Sequence, residues 1–346
     1  MKEKQRIEFI DLAKGICILL VVAMHLIPEF ESEYQFLGCL RMPLYFCLSG
    51  LFYKNYGSAR NFFIKKTNRI LIPFLIWYLI SYSIYYIGRL IASSGREATY
   101  HIADVVFQND IFNLPLWFLL CLFWSNLFFD LINRISGKWY YQLSLVLMVS
   151  AIGWVMSANN IYNFLYVGSC MTCLPFFYLG YALKNTNLLY ATKNKKKDFL
   201  IMVGCLVAAF IFIFMPEFPP LLKYYTNEIE HGNPVTIYLS ASLFVIGVLL
   251  ICKFIKKIPF VSWIGRYSII VLVSHILVSG YVSITIELIA KGSLDGLAKE
   301  LMVFIITVAL MLAVIPFCKR FMPYVTAQKD VIQLKPANKS GIHSCN

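Results

Sequence analysis

The chain has 346 residues, of which 59% are hydrophobic and 14% are charged, and its formal net charge is +13. This apolar fraction is more than the core of a water-soluble domain can bury, which excludes the soluble globular class. Apolar segments of about 20 residues recur along the chain, and a helix of that length crosses the hydrocarbon core of a bilayer. The sequence therefore predicts an all-α, polytopic membrane bundle of about ten transmembrane helices. The predicted spans are roughly 7–28, 37–53, 70–93, 114–133, 140–157, 163–183, 199–215, 235–252, 262–290 and 298–318.

The first predicted span contains Asp11, Lys14 and His25. Ionisable side chains at bilayer depth are costly and usually mark a functional site. On a helix, the directions of Lys14 and His25 differ by about 20°, and the two residues are about 16 Å apart along the axis. The charges in this span and the lack of a small-residue cleavage site indicate that it is not a cleaved signal peptide. A stripe that reaches from one side of the membrane towards the other predicts chemistry across the bilayer.

The next spans carry candidate residues near their ends. Arg41 lies a few residues into the second span, Arg69 immediately precedes the third, and Trp117 lies near the outer end of the fourth. Each also has an ordinary explanation, because arginine snorkels to the interface, basic residues collect in cytoplasmic loops and tryptophan forms interfacial belts. The sequence leaves both interpretations open for all three residues.

The ninth predicted span contains Tyr267 near its start and His275 near the membrane centre. An imidazole at that depth needs a partner. His275 either lines a passage through the bundle together with Tyr267 or makes a purely structural hydrogen bond. No metal site is predicted, because Asp11 and His25 are about 21 Å apart on one helix and cannot bind one ion.

The distribution of lysine and arginine predicts the orientation of the bundle. One set of alternate loops, which includes both termini, holds 23 of the 31 basic residues, and the opposite set holds four. This bias predicts that both termini are cytoplasmic, and it explains the net charge without nucleic-acid binding. Residues 1–323 are predicted to form one membrane domain, in which 216–234 is a long external loop. Residues 324–346 are predicted to form a polar, disordered cytoplasmic tail.

Five segments, in this order, carry a resemblance to a known family. The first is Asp11-x-x-Lys14 with ten residues between Lys14 and His25, and the second is the apolar run 41–50, which ends in Ser-Gly. The others are the basic segment 63–73, the Pro-Leu-Trp-Phe-Leu of 115–119, and the Gly-Arg-Tyr-Ser of 265–268 followed by Ser-His at 274–275. Together they resemble the integral-membrane acyltransferase family 3, whose members O-acylate sugars. The segment 11–16 is similar to the fucose 4-O-acetylase-like branch. Many members have arginine in place of Lys14, so the charge is kept here and the bidentate fork is lost.

The resemblance implies an enzyme that transfers an acetyl or other short acyl group from cytoplasmic acyl-CoA to a hydroxyl of a cell-surface glycan or lipid-linked sugar. It also implies a multi-pass protein of the bacterial inner membrane, with acyl-CoA as co-substrate and no bound cofactor. His25 is then the catalytic base, because imidazole transfers protons near neutral pH. Lys14 stabilises the oxyanion or holds a phosphate or carbonyl of the donor. Asp11 either orients Lys14 or simply forms an ion pair with it.

The resemblance also implies substrate-binding roles. Arg69 at the cytoplasmic mouth binds the phosphates of CoA, and Arg41 binds the sugar or the oxyanion. Trp117 stacks on the sugar, while Tyr267 and His275 line the passage between the two sides of the membrane.

Two other functions fit part of the sequence. A protein that exports or flips exopolysaccharide is the main alternative. Proton-coupled transport of a small solute by His25 and His275 fits the buried charges but not the five segments. Succinyl transfer is a further enzymatic alternative, because the sequence does not define the size of an acyl pocket.

Overall fold

The computed structural model describes residues 8–28, 35–92, 112–184, 186–190, 194–214, 221–231, 233–291 and 294–333. The helices in these ranges are α1 (Glu8–Leu26), α2 (Gly38–Leu51), α3 (Ala59–Lys66), α4 (Ile72–Ala92), α5 (Trp117–Ile135), α6 (Trp139–Ala158), α7 (Val167–Lys184), α8 (Asn187–Tyr190), α9 (Lys195–Ile213), α10 (Pro234–Ile255), α11 (Pro259–Arg266), α12 (Ser268–Ala290) and α13 (Gly296–Phe321). Short 3-10 segments occupy Gln35–Leu37, Leu114–Leu116 and Phe164–Tyr166, and a π-helical turn at Thr67–Leu71 joins α3 to α4. The strands β1 (Leu221–Lys223) and β2 (Glu228–His231) pair in an antiparallel hairpin.

The helices confirm the predicted class, a multi-pass all-α membrane bundle. Within the described ranges, eight helical segments are long and apolar enough to cross a membrane: Glu8–Leu26, Ala59–Gly88, Leu114–Ile135, Trp139–Ala158, Phe164–Lys184, Pro234–Ile255, Ser268–Ala290 and Gly296–Phe321. The other two predicted spans are also helical, but α2 has only 14 residues and α9 begins with charged residues. The number of spans and the orientation therefore stay predictions.

Helix α1 is central to the bundle and contacts α2, α10, α11, α12 and α13. It approaches α11 so closely that a Cβ atom on Gly15 would lie 2.0 Å from the carbonyl oxygen of Val261. A Cβ atom on Gly265 would lie 1.9 Å from the carbonyl oxygen of Asp11. Small residues allow membrane helices to pack backbone against backbone in this way. The contact fixes the rotation of α1 and so the direction of its polar stripe.

The hairpin β1–β2 is held by a buried asparagine at its turn. Asn227 adopts a φ of 63° and is only 4% exposed. Its Nδ2 donates to the carbonyl oxygen of Gly153 (3.0 Å), and its Oδ1 accepts from Thr172 Oγ1 (2.8 Å). Asn163 Nδ2 also donates to the carbonyl oxygen of Tyr225 (3.1 Å). These bonds tie part of the predicted external loop 216–234 to α6 and α7.

The chain after α13 folds back along the start of α4. We call residues 322–333 the C-terminal strap. Asn68 is fully buried; its Oδ1 accepts from the amides of Val331 (2.9 Å) and Ile332 (2.8 Å), and its Nδ2 donates to the carbonyl oxygen of Ile332 (2.8 Å). Trp77 Nε1 donates to the carbonyl oxygen of Val325 (3.1 Å). Residues 324–333 of the predicted tail are therefore hydrogen-bonded to the bundle, while 334–346 lie outside the described residues.

Candidate active site

Two cavities open within the bundle. The His25 cavity has a volume of about 590 Å³, and the Lys14 cavity has a volume of about 500 Å³. Three residues, Tyr45, Phe118 and Leu272, line both cavities. We call these three residues the shared wall. The polar stripe of α1 therefore faces two neighbouring chambers, with one of its ionisable residues in each.

The His25 cavity brings three of the predicted site residues together. His25 on α1, Arg41 on α2 and Trp117 on α5 all contribute to its lining. Arg41 is 8% exposed, which excludes a snorkelling position at the lipid surface. Trp117 is 6% exposed and packs with its ring centroid 5.8 Å from that of Tyr166, so it is not a lipid-facing belt residue.

The hairpin supplies lining residues that the sequence does not predict. Lys223, Tyr224 and Tyr225 line the His25 cavity beside Arg41 and Trp117. The sequence carries no signal for them, because the strands are three and four residues long and are positioned by distant contacts of Asn227 and Asn163. The lining of the His25 cavity therefore includes two aromatic rings and a lysine from the hairpin.

His275 packs against His25 and lines neither cavity. The two imidazole centroids are 5.5 Å apart, and His275 is fully buried. His275 Nδ1 lies 2.9 Å from the carbonyl oxygen of Val271. A carbonyl only accepts, so Nδ1 carries the proton, and Nε2 is an acceptor with no hydrogen-bond partner among the described residues. The predicted structural hydrogen bond is therefore present.

Tyr267 also lies outside the lining of both cavities. Its hydroxyl accepts a hydrogen bond from Lys319 Nζ at 2.8 Å. Neither Tyr267 nor His275 lines either cavity, so their predicted role along a passage stays a prediction. Tyr267 caps the start of α12, whereas His275 lies two turns further along that helix and packs against α1.

The Lys14 cavity collects positive charge. Lys14, Lys66 and Arg69 line it, and among the described residues no aspartate or glutamate does. Lys14 Nζ lies 4.3 Å from the centroid of the Phe52 ring, a cation–π contact that orients the ammonium group. The structure therefore brings two predicted residues, Lys14 and Arg69, into one chamber. That chamber suits an anionic ligand.

Asp11 lies at the contact between α1 and α11, outside the lining of both cavities. It is 9% exposed, and its Oδ2 lies 3.9 Å from Arg266 Nε. The spacing within α1 predicts Lys14 as a partner, but an ion pair with Arg266 depends on the packing of a distant helix. Asp11 thus joins the two helices that set the direction of the stripe.

The C-terminal strap covers the cations beside the mouth of the Lys14 cavity. Asp330 pairs with Lys65 (2.5 Å) and with Arg69 (3.1 Å), and Arg69 also donates to the carbonyl oxygen of Ala327. The hydrogen bond from Lys65, with the nearby Arg69 charge, lowers the pKa of the Asp330 carboxyl below its ordinary value of 3.8 despite partial burial. Asp330 thus contacts a residue of the Lys14 cavity, and the sequence does not predict this contact.

Comparison with known protein families shows which family this chain belongs to. A family model described as an acyltransferase domain matches residues 7–318, which is most of the chain and includes every residue that lines the two cavities. The chain belongs to the acyltransferase family 3. No curated protein and no solved structure matches it significantly. The C-terminal strap of this acyltransferase begins after the matched range.

The arrangement provides the groups that acyl transfer requires. A base must accept a proton from the attacking hydroxyl, and a donor must stabilise the developing oxyanion. His25 and Arg41 line one cavity of this acyltransferase, and Lys14, Lys66 and Arg69 line the other. Among the described residues there is no cluster of three or more metal-ligating side chains.

Proposed function

We propose that this acyltransferase moves an acetyl or other short acyl group from acyl-CoA to a hydroxyl of a cell-surface glycan or lipid-linked sugar. The donor enters the Lys14 cavity, and the acceptor occupies the His25 cavity. The observation that carries the proposal is that a histidine lines one cavity and three basic residues line the other. The two cavities share the wall of Tyr45, Phe118 and Leu272. The resemblance to the fucose 4-O-acetylase-like branch supports a sugar as the acceptor.

The positive charge of the Lys14 cavity supports acyl-CoA as its ligand. Acyl-CoA carries several phosphate charges, and Lys14, Lys66 and Arg69 line the chamber that receives it. Lys14 and His25 are about 16 Å apart along α1 and line different cavities. This separation favours donor binding by Lys14 over stabilisation of an oxyanion next to His25.

The imidazole and the aromatic rings of the His25 cavity support a sugar acceptor as its ligand. In the proposed step, the sugar hydroxyl oxygen attacks the thioester carbonyl carbon while its proton passes to His25. The carbon–sulfur bond then breaks, and the departing sulfur takes up the proton, which leaves an ester and free CoA. Trp117 and Tyr225 offer flat apolar faces to a sugar ring, and Arg41 offers hydrogen bonds to its hydroxyl groups.

Polysaccharide export has less support, because the chain belongs to an acyltransferase family and its two cavities have volumes of only about 590 and 500 Å³. The predicted location is a bacterial inner membrane, with the Lys14 cavity open to the cytoplasm. This orientation gives the soluble donor direct access to its cations.

The proposal is tested with the full chain in lipid vesicles supplied with radiolabelled acetyl-CoA and a sugar acceptor. The expected product is an alkali-labile ester on the sugar. His25→Ala removes the base and lowers its formation at least about 100-fold. Thr285→Ala, at an exposed position of α12 outside the lining of both cavities, is the control and keeps activity. Wild-type protein that forms no ester with any sugar tried, or His25→Ala with full activity, refutes the proposal.

A further inference from the structure

The shared wall is the place where donor and acceptor must meet if the proposed function holds. Its residues come from three helices, Tyr45 from α2, Phe118 from α5 and Leu272 from α12, and each is less than one-tenth exposed. The Tyr45 and Phe118 ring centroids are 5.2 Å apart. The two cavities therefore meet at the side chains of these three residues.

The Tyr45 hydroxyl is buried in this wall without a hydrogen-bond partner among the described residues. Ser268 lies beside it but does not make a hydrogen bond of acceptable geometry. Buried hydroxyl groups are nearly always paired, and an unpaired one loses its bonds to water without compensation. A ligand that brings an acceptor to this position removes that penalty.

Asn126 presents a second unpaired group on the donor side. It lines the Lys14 cavity and is 1% exposed. Its Nδ2 donates to the carbonyl oxygen of Leu122 at 2.8 Å, and the reverse orientation would set two oxygen atoms against each other. The orientation of the amide is therefore fixed by chemistry, and its Oδ1 is an acceptor with no partner among the described residues.

The two unpaired groups complement one class of ligand. Asn126 offers an acceptor within the Lys14 cavity, and Tyr45 offers a donor at the boundary with the His25 cavity. A thioester on an amide-containing arm carries the opposite pattern, with amide N–H groups along the arm and a carbonyl oxygen at its acyl end. The phosphates at the other end of such an arm match Lys14, Lys66 and Arg69.

We propose that Tyr45 donates a hydrogen bond to the carbonyl oxygen of the donor thioester and that Asn126 accepts one from an amide N–H of the arm. This inference rests on the proposed function and assigns the oxyanion donor. As the acceptor hydroxyl attacks and gives its proton to His25, negative charge grows on the carbonyl oxygen and the bond from Tyr45 strengthens. The oxyanion collapses, the carbon–sulfur bond breaks, and the thiolate takes the proton from His25.

The decisive variant is Tyr45→Phe, which removes one oxygen atom and keeps the ring in the wall. Loss of an oxyanion donor lowers kcat about 100-fold, and we expect the KM for acetyl-CoA to change less than about twofold. The melting temperature in detergent should stay the same or rise, because the variant removes an unpaired polar atom. Tyr238→Phe is the matched control. Its hydroxyl accepts from Trp154 Nε1 and donates to the carbonyl oxygen of Thr172, each at 2.7 Å. Tyr238→Phe should lower the melting temperature and keep kcat.

Asn126→Leu tests the other half of the assignment. Loss of one hydrogen bond to the arm raises the KM for acetyl-CoA about tenfold with little change in kcat. The truncated donor S-acetyl-N-acetylcysteamine has a thioester and one amide but no phosphate. The effect of Asn126→Leu should persist with this truncated donor, while the effect of Arg69→Glu should disappear. An unchanged KM for both donors refutes the role of Asn126.

Failure of this inference differs from failure of the proposed function. If His25→Ala is inactive but Tyr45→Phe keeps more than about a third of kcat, the oxyanion assignment is wrong and the proposed function stands. If Tyr45→Phe and Ser268→Ala both lower the melting temperature, the hydroxyl has a structural bond to Ser268 and the assignment is also wrong. If all variants and the wild type form no ester, the proposed function itself fails.

Discussion

Asp330→Asn tests whether the C-terminal strap competes with the acyl donor for Arg69. Asp330 holds Lys65 and Arg69, and Arg69 also lines the Lys14 cavity, so the carboxylate and a donor phosphate compete for the same cation. The Arg69 side chain is 47% exposed, which places its pair in the weak range, and the two ion pairs together are worth about 1 kcal/mol. Removal of the competitor then lowers the KM for acyl-CoA about fivefold, because about 1.4 kcal/mol corresponds to a factor of ten.

The pKa of Asp330 determines the pH range in which its carboxylate is charged and can compete for Arg69. Hydrogen bonding to Lys65 and the charge of Arg69 lower this pKa below 3.8. The ion pairs therefore contribute fully above that ordinary value and are lost as the pH falls below it, so the carboxylate competes at neutral pH. The measurement is the KM for acetyl-CoA in vesicles at low and high salt, with Asp295→Asn as a control that removes an exposed charge before α13. A higher KM in Asp330→Asn would show that the strap positions Arg69 for the donor and would refute competition.

Three further predictions concern the donor site, the packing of α1 and the hairpin. Arg69→Glu should raise the KM for acetyl-CoA at least about tenfold and leave the KM for the sugar nearly unchanged, and equal effects on both would argue against donor binding. Gly265→Ala should destabilise the protein by about 1–3 kcal/mol in thermal unfolding, because the new Cβ atom meets the carbonyl oxygen of Asp11. Gly280→Ala on α12, where a Cβ atom meets nothing within 4 Å, is its control, and similar stability of the two variants would contradict the close contact. Asn227→Ala should cost about 1–2 kcal/mol and raise the KM for the sugar more than that for the donor, because the hairpin lines the His25 cavity; a selective effect on the donor would count against this role.

The fold class could be predicted because the bilayer imposes it on the sequence. Every backbone polar group in the hydrocarbon core must be satisfied internally, so recurring apolar segments indicate helices. Each predicted span overlaps a helix, although the ninth includes the end of α11 as well as α12. The hairpin and the C-terminal strap could not be predicted in this way. Both are short segments whose conformation is set by single buried asparagines, Asn227 and Asn68, and by partners far away in the sequence.

The candidate site was predictable to the extent that it lies on one helix. The spacing of Lys14 and His25 requires a common stripe, and the structure places the two residues in adjacent chambers. Residues contributed by other helices depend on how those helices rotate. Arg41, Arg69 and Trp117 line the cavities, whereas Tyr267 points to Lys319. Tyr45 had no sequence signal, because a tyrosine within an apolar span also fits ordinary core packing.

For Arg69, the sequence leaves open whether the residue only orients the protein or also binds the donor, and the structure shows that the two roles are compatible. Positive residues on the cytoplasmic side orient a membrane protein. For a residue that faces only solvent, this orienting role is an alternative to donor binding, whereas a residue that also lines a cavity can have both roles. Arg69 and Lys66 line the Lys14 cavity from the end of the bundle that also carries Lys65 and the C-terminal strap. If this end is cytoplasmic, as the distribution of basic residues predicts, the charges that orient the protein are also placed where an anionic cytoplasmic donor enters. One electrostatic feature then serves both purposes, and reversal of the Arg69 charge should weaken donor binding even in protein molecules that have inserted correctly.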